Sequence, residues 1–139
     1  MSYKDLPEFR VRLENIKQRI RAGEMVNANR QSGKTTAIME VIHEDYSAQS
    51  LQATVLVPWS DLGTMFIKQY MTRWPDDVKP RMLYGTAVHD WERKLRGYDW
   101  KGKLFADALS ALAYKPQYSW EEYEKVERFV FEYNVRGCW

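Results

Sequence analysis

The stretch MVNANRQSGKTTAIMEVI, Met25 to Ile42, decides how this chain is read. Within it, Ala28, Asn29, Arg30, Gln31, Ser32, Gly33, Lys34 and Thr35 keep the spacing of a phosphate-binding loop: a small residue, four others, then Gly-Lys-Thr. A turn of this kind opens a helix. Its exposed backbone N–H groups and the partial positive charge of the helix start together favour a phosphate. Gly33 lets the backbone approach a ligand with no side chain in between. Lys34 would reach the β- and γ-phosphates, and the Thr35 hydroxyl would sit on Mg²⁺. Thr36 reads as a packing or capping residue. Ala28 stands where a glycine is usual, which requires an ordinary negative φ there. The same letters also describe a capped helix after a polar turn, but the order of strand, loop and amphipathic helix favours the phosphate reading.

Outward from the loop, Glu24 to Asn27 is a very short strand candidate, and Ala37, Ile38, Val41 and Ile42 form the buried stripe of the helix that follows. Upstream, Phe9, Leu13, Ile16 and Ile20 recur on one face of a helix that Gly23 ends. Arg10, Arg12, Lys17, Arg19 and Arg21 are interleaved with them. That basic side is either a solvated surface or a face for nucleic-acid phosphates. Downstream, Ser47-Ala48-Gln49-Ser50 connects to ATVLVPW, Ala53 to Trp59, a buried strand stopped by Pro58. Ser60 is expected to cap a helix through Tyr70 and Arg73 with Leu62, Phe66 and Tyr70 inward. Arg81 to Gly85 is a strand candidate. Thr86 is expected to cap a helix carrying Val88, Trp91 and Leu95, which Gly97 breaks. KLFAD, Lys103 to Asp107, is a short apolar run ending in an acid. Ser119 and Glu122 form a capping-box pair for a last helix with Tyr123, Val126, Phe129, Val130 and Tyr133 inward. Alternation of strands and helices predicts an α/β fold, a small parallel sheet of about four strands flanked by helices.

The 139 residues suit one core, and 45% hydrophobic against 29% charged residues is ordinary for a globular chain. The expected organisation is a single domain over 1–139, with an N-terminal helix in 1–23, a nucleotide-binding core in 24–110 and a C-terminal helix in 119–134. A net charge of +2 is too small to argue nucleic-acid binding by itself. No apolar run approaches the ~18 residues of a membrane span, so no membrane partner is expected. One cysteine, Cys138, excludes an internal disulfide, and with no secretory signal at the N-terminus the expected location is the cytoplasm. His43 and His89 have no cysteine near them and suggest no metal site.

Phosphate chemistry needs an acid for the metal at the end of a neighbouring strand. Asp107 supplies one, about 70 residues after the loop. Its alternative role is a helix N-cap after a strand.

NRQSGKTT resembles the phosphate-binding loop of phage DNA-packaging motors, the large-terminase ATPases, which often carry Arg-Gln-x-Gly-Lys-Ser/Thr. ATVLVPWSDL resembles the second strand and following turn of that domain, a segment shared loosely with helicases. LRGYDWKGKLFAD, Leu95 to Asp107, resembles the Arg-Gly stretch before their metal-binding strand. The resemblance spans roughly residues 20 to 110 and implies a P-loop NTPase fold, with ATP and Mg²⁺ as cofactors. It implies that Lys34 and Thr35 bind phosphate and metal, that Arg30 contacts the γ-phosphate or aids its transfer, and that Asp107 holds the metal through water. Gln31 receives no role. For a phage protein the compartment would be the host cytoplasm. The family places a glutamate after the aspartate, as the base that orients the attacking water. Ala108 stands there and accepts no proton. Asp90, Asp99 and Glu121 are the nearby acids that could substitute. The nuclease domain of the packaging motors and the second motor domain of helicases have no counterpart here.

Four functions compete. The first is a minimal ATPase with weak or partner-dependent hydrolysis, its site completed by an arginine from a partner or a second copy. The second is a nucleotide-dependent protein- or DNA-binding module without turnover, which Ala108 favours. The third is a small P-loop kinase with Arg93, Lys94 and Arg96 in a lid. The fourth is a non-nucleotide protein with a decayed loop. DNA contact would run through the basic helix and the Ser60-Asp61 turn. The Trp-rich composition (Trp74, Trp91, Trp100, Trp120, Trp139) is expected to be mostly core, with part of it an exposed patch.

Overall fold

The computed structural model describes residues 7–27, 33–85, 87–97, 100 and 102–139. Five strands and five α-helices are described. They are α1 Pro7–Arg21, β1 Met25–Val26, α2 Lys34–Asp45, β2 Thr54–Val57, α3 Ser60–Arg73, β3 Arg81–Tyr84, α4 Val88–Leu95, β4 Leu104–Ala106, α5 Trp120–Glu132 and β5 Arg136–Cys138. The strands form one sheet in the order β1-β5-β4-β2-β3, and every pairing is parallel.

Two apolar clusters cover the two faces. One joins α1, α2 and α3 through Phe9, Leu13, Ile38, Ile42, Phe66 and Tyr70. The other joins α4 and α5 through Trp91, Leu95, Val126, Phe129 and Val130. The middle strands β2 and β4 are buried along their whole length, so side chains of both parities are apolar: Val55 and Phe105 face the first cluster, Leu56, Leu104 and Ala106 the second.

The sheet has five strands rather than the expected four. The added strand, β5, lies between β1 and β4, so the sheet draws on residues beyond 24–110. Gly137 makes that insertion possible. Its φ is +136°, and a Cβ there would stand 2.2 Å from the carbonyl oxygen of Ala106 on β4.

Local signals set some of the helix boundaries. Ser119 Oγ accepts from the Glu122 amide at 3.2 Å, which starts α5 as the capping pair predicts. Gly23, at φ +91°, follows α1. Ser60, in contrast, is the first helical residue of α3 and not its cap: Trp59 holds the N-cap position and no side chain bonds the helix start. At α4 the N-cap position belongs to Ala87, while the predicted cap Thr86 lies outside the described residues. Of the tryptophans, Trp91 is fully buried, Trp74, Trp100 and Trp139 pack against the core, and Trp120 is exposed. Among the described residues no helix is long and apolar enough to cross a membrane.

Candidate phosphate and metal site

Because all five strands are parallel, their carboxyl ends share one edge of the sheet, where open α/β sheets bind ligands. The start of α2, the helix that follows β1, lies on that edge. Gly33 occupies the N-cap of α2 with φ 91° and ψ 18°, a left-handed conformation that glycine adopts without strain. Its carbonyl accepts the Ala37 amide at 2.8 Å. Lys34 and Thr35 are the first two residues of the helix. The N-cap glycine has no side chain with which to cap this helix start, and no acid lies in the first turn of α2. The positive end of the helix is therefore not countered by a carboxylate within α2.

Asp107 follows β4 directly, and its amide continues the ladder to Leu56 O at 3.0 Å. The Thr35 hydroxyl donates to Asp107 Oδ2 at 3.0 Å, across 72 residues of sequence. The predicted metal hydroxyl and the predicted metal acid thus meet. Burial pushes the Asp107 carboxyl up from its ordinary value, and the Thr35 hydrogen bond and the Lys34 charge oppose that rise. Beneath them, Cys138 of β5 is buried, and its thiol is pushed up to about 12 by burial and by the Asp107 charge. This cysteine is protonated and inert at neutral pH.

The donor set suits a hard divalent cation. Mg²⁺ usually takes one or two carboxylates and leaves its remaining positions to phosphate and water. Thr35 and Asp107 supply one hydroxyl and one carboxylate. Among the described residues no group of three or more His, Cys, Asp or Glu gathers elsewhere.

Ala108 sits next to Asp107 in the left-handed region, φ 57° and ψ 33°, and starts a 3-10 turn over Leu109–Tyr114. A non-glycine residue held there stores about 1 kcal/mol of strain. Of the substitute acids, Asp90 lies in the first turn of α4 and pairs with Arg93 at 3.5 Å. Glu121 is exposed in the first turn of α5. Neither acid takes part in the Thr35–Asp107 hydrogen bond. Asp99 lies outside the described residues, as do Ala28, Asn29, Arg30, Gln31 and Ser32. Thr36 is half-buried and lines a groove between α2 and α3 with Met39, Met65 and Lys68.

The basic side of α1 has a different use from the one its charges suggest. Arg10 and Lys17 pair with Glu40 at 3.1 and 3.0 Å, Lys17 with Glu44 at 2.7 Å, and Arg21 with Glu44 and Asp45 at 2.6 and 2.8 Å. Arg19 pairs with Glu24 at 3.5 Å. Four of the five cations are thereby neutralised within the chain, and the phosphate-face reading of α1 loses its main support.

Sequence reasoning missed β5, and with it the buried place of Cys138 near Asp107. The available signal was a glycine in a short apolar segment, Val135 to Trp139, directly after a helix. Compared with protein-family models, with curated proteins and with solved structures, this chain matches none.

Proposed function

We propose that this chain binds a nucleoside triphosphate, ATP in the simplest case, together with Mg²⁺, and that its fold is of the P-loop NTPase type. The observation that carries the reading is the 3.0 Å hydrogen bond from Thr35 to Asp107. The sequence reading assigns both residues to one metal, and the fold sets them within hydrogen-bond distance across 72 residues. The start of α2, which has no acid of its own in the first turn, adds support. Lys34 would hold the terminal phosphates, and Thr35 with Asp107 would hold the metal. Bound Mg²⁺ would neutralise phosphate charge. Deprotonated Asp107 accepts from Thr35 and keeps that hydroxyl oriented. Arg30, which the terminase resemblance assigns to the γ-phosphate, is part of the proposal through that resemblance alone.

Binding is tested by titrating the protein with Mg-ATP, followed by tryptophan fluorescence and calorimetry. Lys34→Ala is expected to weaken binding about 100-fold, the loss of charge-assisted contacts worth about 3 kcal/mol. Wild-type protein that shows no saturable binding up to millimolar nucleotide removes the reading.

Weak or absent turnover is the second half of the proposal, and Ala108 carries it. This makes a nucleotide-dependent binding module the favoured form, with a minimal terminase-like ATPase as the alternative. Ala108→Glu restores a proton acceptor beside Asp107 in a backbone conformation already paid for by alanine. Phosphate release is expected to rise about 100-fold. An unchanged rate in a variant that still binds ATP would show that the missing base is not what limits turnover.

A further inference from the structure

We infer that Phe9 is a positioning residue for the phosphate site, acting through Gly33. A Cβ built on Gly33 would stand 3.0 and 3.1 Å from Cζ and Cε2 of Phe9, and 3.5 Å from Cδ1 of Leu13. The Phe9 ring therefore lies flush against the backbone that turns the chain into α2. Phe9 is 1% exposed and Leu13 is fully buried.

The helix start needs such a wall. Its N-cap residue is a glycine, which has no capping side chain of its own and the most conformational freedom to lose. Packing must supply the constraint that a capping side chain supplies elsewhere. The wall is itself anchored. Arg10, one residue after Phe9, bonds Glu40 of α2 at 3.1 Å, and Lys17 bonds the same carboxylate at 3.0 Å. Arg21 bonds Asp45 at 2.8 Å at the far end. These links along the α1–α2 seam fix where the ring stands against the loop's closing turn. Lys34 and Thr35 follow that turn directly, so a shift of Gly33 is a shift of both.

The amide of Ala37, which donates to Gly33 O, reports on the turn without any nucleotide. Ile42, in the body of α2, is the internal reference. In Phe9→Leu, exchange at Ala37 is expected to accelerate about tenfold relative to Ile42. Ile20→Val, on the same buried face of α1 but at its other end, is expected to leave that ratio unchanged. Phe9→Met, whose unbranched side chain adapts to the space the ring leaves, serves if Phe9→Leu does not fold. An unchanged ratio in a folded Phe9 variant, or an equal change in Ile20→Val, overturns the inference.

The effect on ligand rests on the proposed function. Phe9→Leu is expected to weaken Mg-ATP and Mg-tripolyphosphate by the same factor, about tenfold, because the phosphate contacts are what move. If wild-type protein binds neither, the proposed function falls, and the exchange ratio still decides the role of Phe9.

Discussion

Gly137→Ala unfolds the chain or leaves it far less stable than the parent, by at least about 4 kcal/mol. Two independent obstacles combine. The backbone at Gly137 has φ +136°, which L side chains rarely adopt. The added Cβ would also lie 2.2 Å from Ala106 O and 2.8 Å from Ala106 N. Both are main-chain atoms of a buried strand and cannot swing aside as a side-chain tip would. Gly137 pairs with Met25 on one side and Ala106 on the other, so its displacement opens two ladders at once. Urea and thermal unfolding measure the loss. Gly23→Ala is the control: its φ of +91° is also positive, but nothing lies within 4 Å of the new atom. That variant is expected to lose only about 1 kcal/mol. Equal losses in the two variants would show that backbone strain and not the close strand approach governs Gly137.

Glu40→Ala is expected to cost about 3 kcal/mol at neutral pH. The Glu40 and Lys17 side chains are 4% and 3% exposed, so removing the carboxylate leaves a buried ammonium with part of its neutralisation gone. Glu44 and Glu14 still reach Lys17 at 2.7 and 3.3 Å, which limits the loss. Arg10 and Arg73 are 45% and 46% exposed and contribute little of the energy. Glu40→Leu combined with Lys17→Met should recover much of the stability, because a well-packed apolar pair replaces the buried ions.

The same carboxylate predicts acid lability. Burial alone would push the Glu40 carboxyl up, but hydrogen bonds from Arg10, Lys17 and Arg73 override it and hold it at about 2, against an ordinary value of 4.5. The folded value lies below the unfolded one. Its contribution is therefore complete above the ordinary value and is lost as pH falls from about 4.5 towards about 2. Denaturant unfolding over that range should show the parent losing stability more steeply than Glu40→Ala. Parallel profiles, with a neutral-pH difference under about 1 kcal/mol, would show that the cluster is peripheral to the fold.

The sequence by itself determined the elements whose signals are local. The four-three-four spacing of Phe9, Leu13, Ile16 and Ile20 places them on one face of α1, and all four are buried. The Ser119–Glu122 pair starts α5, and the apolar run at Thr54–Val57 is a buried strand. Lys34, Thr35 and Asp107 were legible as candidate site residues because a motif and a strand-end acid are read over a few residues each. What joins them was not legible. The Thr35–Asp107 bond spans 72 residues and depends on strand order, and that order rests on β5. This three-residue strand has a glycine at its centre and its partners in Met25–Val26 and Phe105–Ala106, so no periodicity announces it. The charges of α1 show the same limit. Arg10, Lys17 and Arg21 read as a basic face until α2 sets Glu40, Glu44 and Asp45 against them. Helix faces and strand cores follow from side chains a few residues apart. Strand order, buried ion pairs and the meeting of Thr35 with Asp107 follow from contacts between distant segments, which only the packed chain decides.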